Sequence, residues 1–177
     1  MCRNHAATIA MGTFWRCISY KTLSSSLAYF ATDPEAQARA RQAPSTAVVE
    51  EMLRLCAPVA TGRLVQNDTV MSEQNLRAGD RVLLALPAAN RDPAEFADPD
   101  TARFDRNNNR HLTFGTGIHR CLGMHLARLE LRVAFEEVFR AFDDVQIAPG
   151  EEPTFIQSQV AGAVSVPVTF QRATGEQ

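Results

Sequence analysis

The chain has 177 residues, enough for one domain that buries roughly 70% of its extended surface if it is compact. Hydrophobic residues make up 45% and charged residues 21%, an ordinary globular balance, and a net charge of -2 argues against general affinity for nucleic acid or anionic membranes. Cys2, Cys17, Cys56 and Cys121 are scattered with no CxxC pair, which suggests neither a disulfide framework nor a zinc ribbon and fits a reducing cytoplasm, and no run reaches the ~20 apolar residues of a membrane span.

The first segment, through Phe30, is apolar with scattered serines and reads as helix. Within it, Ala6 to Trp15 follow Arg3 somewhat as a secretory leader would. His5 and Arg16 bracket the run and no small-residue cleavage site follows, so the chain reads as unprocessed. Asp33-Pro34-Glu35 starts a second helix: Thr32 or Asp33 can cap, Pro34 suits the first turn, and Glu35 sits at the positive end. This helix runs from Pro34 to about Gln42, and Pro44 breaks it. Ser45 or Thr46 opens a third, Ala47 to about Leu55, with Val48, Met52 and Leu55 on one stripe.

From Thr61 to Leu86, short alternating runs around a turn at Ala78-Gly79-Asp80 predict a small antiparallel sheet. Residues Asn90 to Asn109 are rich in Asp, Asn, Pro and Arg, and a coil of that length inside a compact domain is functional or tightly pinned. A glycine-punctuated loop, Phe114 to Gly123, then feeds an amphipathic helix of about Leu122 to Phe142. Its apolar face combines Leu122, Leu126, Leu129 and Val133 with Phe135, Val138, Phe139 and Phe142. Two or three strands follow, including Val164 to Phe170. The fold class is mainly α with a small antiparallel β-sheet.

The loop carries the chemistry. Gly115 and Gly117 permit backbone geometries closed to other residues and let a large group approach. Cys121 lies at the N-terminal end of the helix, where the dipole and unpaired amides favour a thiolate, which is a nucleophile, a metal ligand or both. Three rival readings stand beside this. An isolated cysteine is most often a small buried hydrophobe. A nucleotide loop is excluded, because the glycine spacing fits neither GxGxxG nor GxxxxGK[ST]. His111, His119, Cys121 and His125 offer four zinc ligands in a short stretch, although their spacing matches no common zinc motif.

The full string Phe114-Gly115-x-Gly117-x-His119-x-Cys121-x-Gly123 resembles the haem-binding signature of the cytochrome P-450 family in its bacterial style. The resemblance implies haem b, with Cys121 as the axial thiolate ligand of its iron. It also implies that Phe114 packs near the sulfur, that His119 hydrogen-bonds a haem propionate, and that Gly115, Gly117 and Gly123 leave room beside the porphyrin. Glu51-x-x-Arg54 is similar to the family's ExxR element on the K helix, an i,i+3 pair on one helix face. A third partner from the meander is assigned to Arg106, with Arg103 and Arg110 as alternatives, and the role is structural. Arg63 resembles the arginine that faces a propionate, or is an ordinary strand-edge arginine. Ala88-Ala89-Asn90-Arg91-Asp92-Pro93 and Phe96-Ala97-Asp98-Pro99 are like the family's approach to the meander.

The resemblance divides the chain into residues 1–21, of unclear match, and 22–177, a truncated C-terminal region holding a remnant I helix, K helix, meander, haem-binding loop and L helix. In the I helix, Thr22 takes the place of the oxygen-activating alcohol, but Lys21 stands where the family has an acid and is a poor proton carrier. The bland alternative for Thr22 is a helix-surface threonine. The implied function is O2-dependent hydroxylation of a small apolar substrate, with electrons from a ferredoxin or flavoprotein reductase that meets Arg120. The implied location is cytoplasmic, and no nucleic acid or membrane is involved. The alternatives are an inactive truncated fragment that binds haem weakly or not at all, and a zinc-binding structural module.

Overall fold

The structure is a computed structural model and describes residues 5–10 and 18–173. Helices α1 (Ile18–Thr32), α2 (Pro34–Gln42), α3 (Ser45–Leu55) and α5 (Met124–Ala141) form the helical part, with a single turn, α4 (Leu86–Ala89), between α3 and α5. Strands β1 (His5–Ala10), β6 (Phe142–Ile147), β7 (Thr154–Ile156) and β8 (Gly162–Arg172) form one antiparallel sheet. Its order is β1-β8-β6, with β7 also on β8. Between α3 and α4, β2 (Thr61–Leu64) pairs with β5 (Arg81–Leu84), and the hairpin β3 (Thr69–Met71) to β4 (Gln74–Leu76) is nested inside.

The serines that make α1 a weak helix by propensity are its means of packing. Ser26 Oγ donates to Thr22 O at 2.7 Å, and Ser24 Oγ donates across to Ala163 O of β8 at 2.9 Å. The small Ala28 and Ala31 then let the sheet lie close, against Val145, Val166 and Val168. On its other side α1 meets α3 and α5 through Phe30, whose ring is edge-on to Phe135 at 5.9 Å and to Phe139 at 5.4 Å. Val48, Met52, Leu53 and Leu131 complete that main core. Asp33 caps α2 by accepting from Ala36 N at 2.9 Å. Buried Gln37 then ties the α1–α2 elbow to β6, donating to Phe30 O and Val145 O and accepting from Val145 N.

Two expectations change. The opening segment is not all helix: residues 5–10 pair with β8 from His5↔Phe170 to Ala10↔Ser165, a strand created by its partner. The last helix begins at Met124, not Leu122, and its apolar face is two faces. Ala127, Leu131 and Phe135 are buried, whereas Leu126, Leu129 and Val133 are exposed, as is Leu122 in the turn ahead of the helix. Spacing of i, i+4, i+7 and i+11 puts those four on one stripe, distinct from the core-facing one.

Candidate functional site

Glu51 and Arg54 lie one turn apart on α3, and both are 0% exposed. Arg54 meets the carboxylate two-pronged: Nε donates to Oε2 at 2.9 Å and Nη2 to Oε1 at 2.8 Å. Its other N–H groups donate to Asn90 O, Pro99 O and Thr101 O at 2.9, 2.7 and 3.3 Å. Glu51 also accepts from Arg106 Nε at 3.0 Å, Arg103 N at 2.8 Å and Asn109 Nδ2 at 3.1 Å. Burial raises the Glu51 carboxyl, but the hydrogen bonds from Arg54, Arg103 and Arg106 outweigh it and hold the pKa below the ordinary range. Of the three arginines considered as third partner, Arg106 brings its guanidinium. Arg103 brings only its backbone, its side chain pairing with Asp98 and Asp105, and Arg110 pairs with Glu95. The long coil is thus pinned by one buried carboxylate–guanidinium centre.

Next to it is a second network that sequence reasoning missed. Glu50 accepts from Arg128 Nε at 2.6 Å and Nη2 at 3.0 Å, and meets His111 Nε2 at 3.1 Å, so α3 is tied to α5. His111 Nδ1 accepts from Thr113 N at 3.3 Å, so the ring proton is on Nε2 and points at Glu50. Burial raises the Glu50 carboxyl, yet the bonds from His111 and Arg128 and the Arg128 charge bring it down from 4.5 to about 2. A folded-state pKa below the unfolded value stabilises the fold above the ordinary carboxylate range and loses that effect as pH falls. The urea midpoints of the parent chain and of Glu50→Gln are therefore expected to differ at neutral pH and to converge between pH 4.5 and about 2. A constant difference across that range would remove Glu50 from the account.

The cysteine loop is held by its own backbone. Gly115 N donates to Leu112 O and Cys121 N to Phe114 O, both at 2.8 Å, around a 3-10 turn at Gly117–His119. Phe114 is buried beneath the loop, with the Arg128 guanidinium over its ring at 4.8 Å. Cys121 is a free, half-buried thiol in the turn ahead of α5 and not inside the helix's first turn. It is therefore not the fully buried hydrophobe of the bland reading. On one side it packs against the main core with Met124 and Phe114, while Ile118, 97% exposed, and Leu122, 99% exposed, stand out from the loop.

Gly115 and Gly117 hold φ of 66° and 64°, where a side chain costs about 1–2 kcal/mol, although a Cβ would find room at both. Gly123 has an ordinary φ of -81°. Gly115→Ala is expected to lower unfolding free energy by ~1 kcal/mol, and Gly123→Ala by much less. Equal urea midpoints for the two variants would contradict the role of φ.

The other candidates stand apart from this centre. His119 and Arg63 are exposed, and Arg63 Nη1 donates to Thr61 Oγ1 and Gly62 O, curled along its own strand. Thr22 is neither on a helix surface nor open to a cavity. It is 0% exposed and its hydroxyl donates to Cys56 O at 3.3 Å, a bond that closes the end of α3 and commits the proton. Lys21 Nζ turns to Ala163 O. Among the described residues no group of three His, Cys, Asp or Glu side chains is placed to hold a metal ion, and both His111 nitrogens bond other partners.

The remaining networks could have been found only in part. Asn90 was visible in a recognisable string without a function, and Glu50 adjoins Glu51, but their partners lie 22 to 78 residues away.

A family model described as Cytochrome P450 matches residues 45–172. Cytochrome P450-terp of Pseudomonas sp. is 39% identical over 144 residues, covering 80% of this chain and 33% of that protein. The methyl-branched lipid omega-hydroxylase of Mycobacterium tuberculosis is 44% identical over 125 residues, covering 69% of this chain and 29% of its own length. The crystal structure of P450 OxyD, involved in the biosynthesis of vancomycin-type antibiotics, superposes with a TM-score of 0.80 at 36% identity, over 88% of this chain and 41% of that one. The chain spans about a third of the length of these curated relatives. Its helices and small antiparallel sheets are thus those of part of a larger fold, and the chain belongs to the cytochrome P450 family.

Proposed function

We propose that Cys121 is the axial thiolate ligand of a haem b in a P450-type monooxygenase, and that residues 22–177 are the region that carries this ligand. Members of the family bind haem b. The observation that carries the reading is the loop itself: a half-buried free thiol, flanked by Ile118 and Leu122 in nearly full exposure, on a backbone bent by two left-handed glycines. That donor set fits a flat apolar macrocycle. The sulfur binds a soft or intermediate metal, the exposed aliphatic groups lose water against a ring face, and no Cβ at Gly117 would meet another atom.

When bound, the haem supplies O2-dependent insertion of oxygen into a small apolar substrate, using electrons from a ferredoxin or flavoprotein reductase. This chain's residues bind and orient. Phe114 would support the loop beneath the sulfur, His119 and Arg63 would turn to hold the propionates, and Gly115, Gly117 and Gly123 would keep the approach open. The Glu51–Arg54–Arg106 centre holds the coil to α3. Arg120 is a contact for the electron donor. No proton-delivery step is assigned to Thr22, because its hydroxyl is spent on Cys56 O. Among the described residues no helix is long and apolar enough to cross a membrane.

A second reading has its own support. In it the chain is a truncated fragment that binds haem weakly or not at all, and what favours it is the uncovered stripe of Leu122, Leu126, Leu129 and Val133 beside the cysteine. Haem titration of the purified chain, followed by reduction and CO, separates the two. Saturable binding with the red-shifted Soret band of thiolate-ligated haem supports the first reading. Absence of saturable binding supports the second and overturns the first.

A further inference from the structure

A helix leaves its last four carbonyls without partners in the helix. At the end of α3 each of these finds a side chain from elsewhere. Thr113 Oγ1 donates to Leu53 O at 2.7 Å, Asn90 Nδ2 to Arg54 O at 3.2 Å, Arg91 Nη2 to Leu55 O at 3.1 Å, and Thr22 Oγ1 to Cys56 O at 3.3 Å. Two of the four caps continue into the cysteine loop. Asn90 Nδ2 also donates to Thr113 Oγ1 at 2.8 Å, and Asn90 Oδ1 accepts from Leu112 N at 2.6 Å. The Leu112 and Phe114 carbonyls then accept from Gly115 N and Cys121 N. On its other side Asn90 O accepts from Arg54, the partner of Glu51. Asn90 is 0% exposed and Thr113 4%, and every polar atom of both side chains is used.

We propose that Asn90 and Thr113 are positioning residues that transmit the rigidity of the buried α3 end to the cysteine loop and so fix where the Cys121 sulfur stands. The purpose rests on the haem-thiolate reading, but the coupling is a property of the polypeptide. An amide is required at residue 90, because the position needs one acceptor, for Leu112 N, and two donated bonds. Residue 113 needs a hydroxyl, which accepts from Asn90 while donating to Leu53. The side chains of the Glu51–Arg54–Arg106 centre grip the coil at Asn90 O and between residues 97 and 109 and make no direct bond to the loop, which Asn90 and Thr113 reach through their own side chains.

The test is amide hydrogen exchange on the full haem-free chain, read as the Cys121 rate divided by that of Met52 inside α3. Thr113→Val keeps the shape and removes the hydroxyl, and is expected to raise the ratio about tenfold. Thr113→Ser keeps the hydroxyl and is expected to leave it within about twofold. A ratio unchanged in Thr113→Val, whether both rates rise together or neither does, overturns the proposal, because the residue then supports the fold at large.

If Thr113→Val does not fold, the unsubstituted chain in rising urea still decides. Leu112, Gly115 and Cys121 amides must open as one unit, and separate openings overturn the coupling. Absence of haem binding would leave these results unaltered, and failure of the coupling would leave the CO spectrum to judge the ligand.

Discussion

Arg54→Ala is expected to cost about 3–5 kcal/mol, a large part of the ~5–15 kcal/mol that holds a domain folded. The substitution removes both prongs from a carboxylate that is 0% exposed and takes donors from the carbonyls of Asn90, Pro99 and Thr101. Arg106, Arg103 N and Asn109 remain on Glu51, so its charge is not orphaned outright, but the end of α3 and the coil lose their common tie. Arg54→Lys rescues little, because an ammonium cannot match a planar fork that bonds five ways. Arg106→Ala is expected to be milder, since Arg54 still faces the carboxylate. Urea unfolding checks the order. An Arg54→Ala midpoint equal to that of the parent would show that the buried pair contributes nothing net, as pairs of this kind sometimes do.

Cys121→Ser is expected to abolish the thiolate-type spectrum of the haem-loaded, CO-treated chain while leaving the urea midpoint within about 1 kcal/mol of the parent. The contrast is Cys56→Ser. Burial pushes the Cys56 thiol up to about 11, so it stays protonated at neutral pH. Its replacement is expected to leave the spectrum as it was. Loss of the band in Cys56→Ser with retention in Cys121→Ser would reverse the assignment.

How much was legible follows from where each feature's energy resides. Helix α2 was readable to its bounds, Pro34 to Gln42, because Asp33 and Pro34 define its start within four residues. The strand β1 was not, because nothing in residues 5–10 demands a strand until β8 lies beside them. The last helix showed too many apolar positions for one face, and pattern alone does not say which stripe meets the core. Leu131 and Phe135 do, whereas Leu126 and Leu129 do not. The pair Glu51–Arg54 was visible as i,i+3 spacing, but the choice among Arg103, Arg106 and Arg110 needed the path of the coil. Asn90, Thr113 and Glu50 escaped because a buried amide, hydroxyl or carboxylate declares itself only through partners distant in sequence.

The uncovered stripe also has a solution consequence. Leu122, Leu126, Leu129 and Val133 on one face predict that the chain alone associates or has limited stability, and that it shows little turnover. Robust substrate-dependent hydroxylation by the purified chain would contradict this and would mean that a closed pocket forms without further polypeptide.

The bond between sulfur and iron is the centre of the account, and X-ray absorption at the iron edge of the haem-loaded chain observes it directly. The expected spectrum needs one sulfur neighbour of iron beside the porphyrin nitrogens, and that neighbour disappears in Cys121→Ser. An iron surrounded only by nitrogen and oxygen in the unsubstituted chain would contradict the assignment of Cys121.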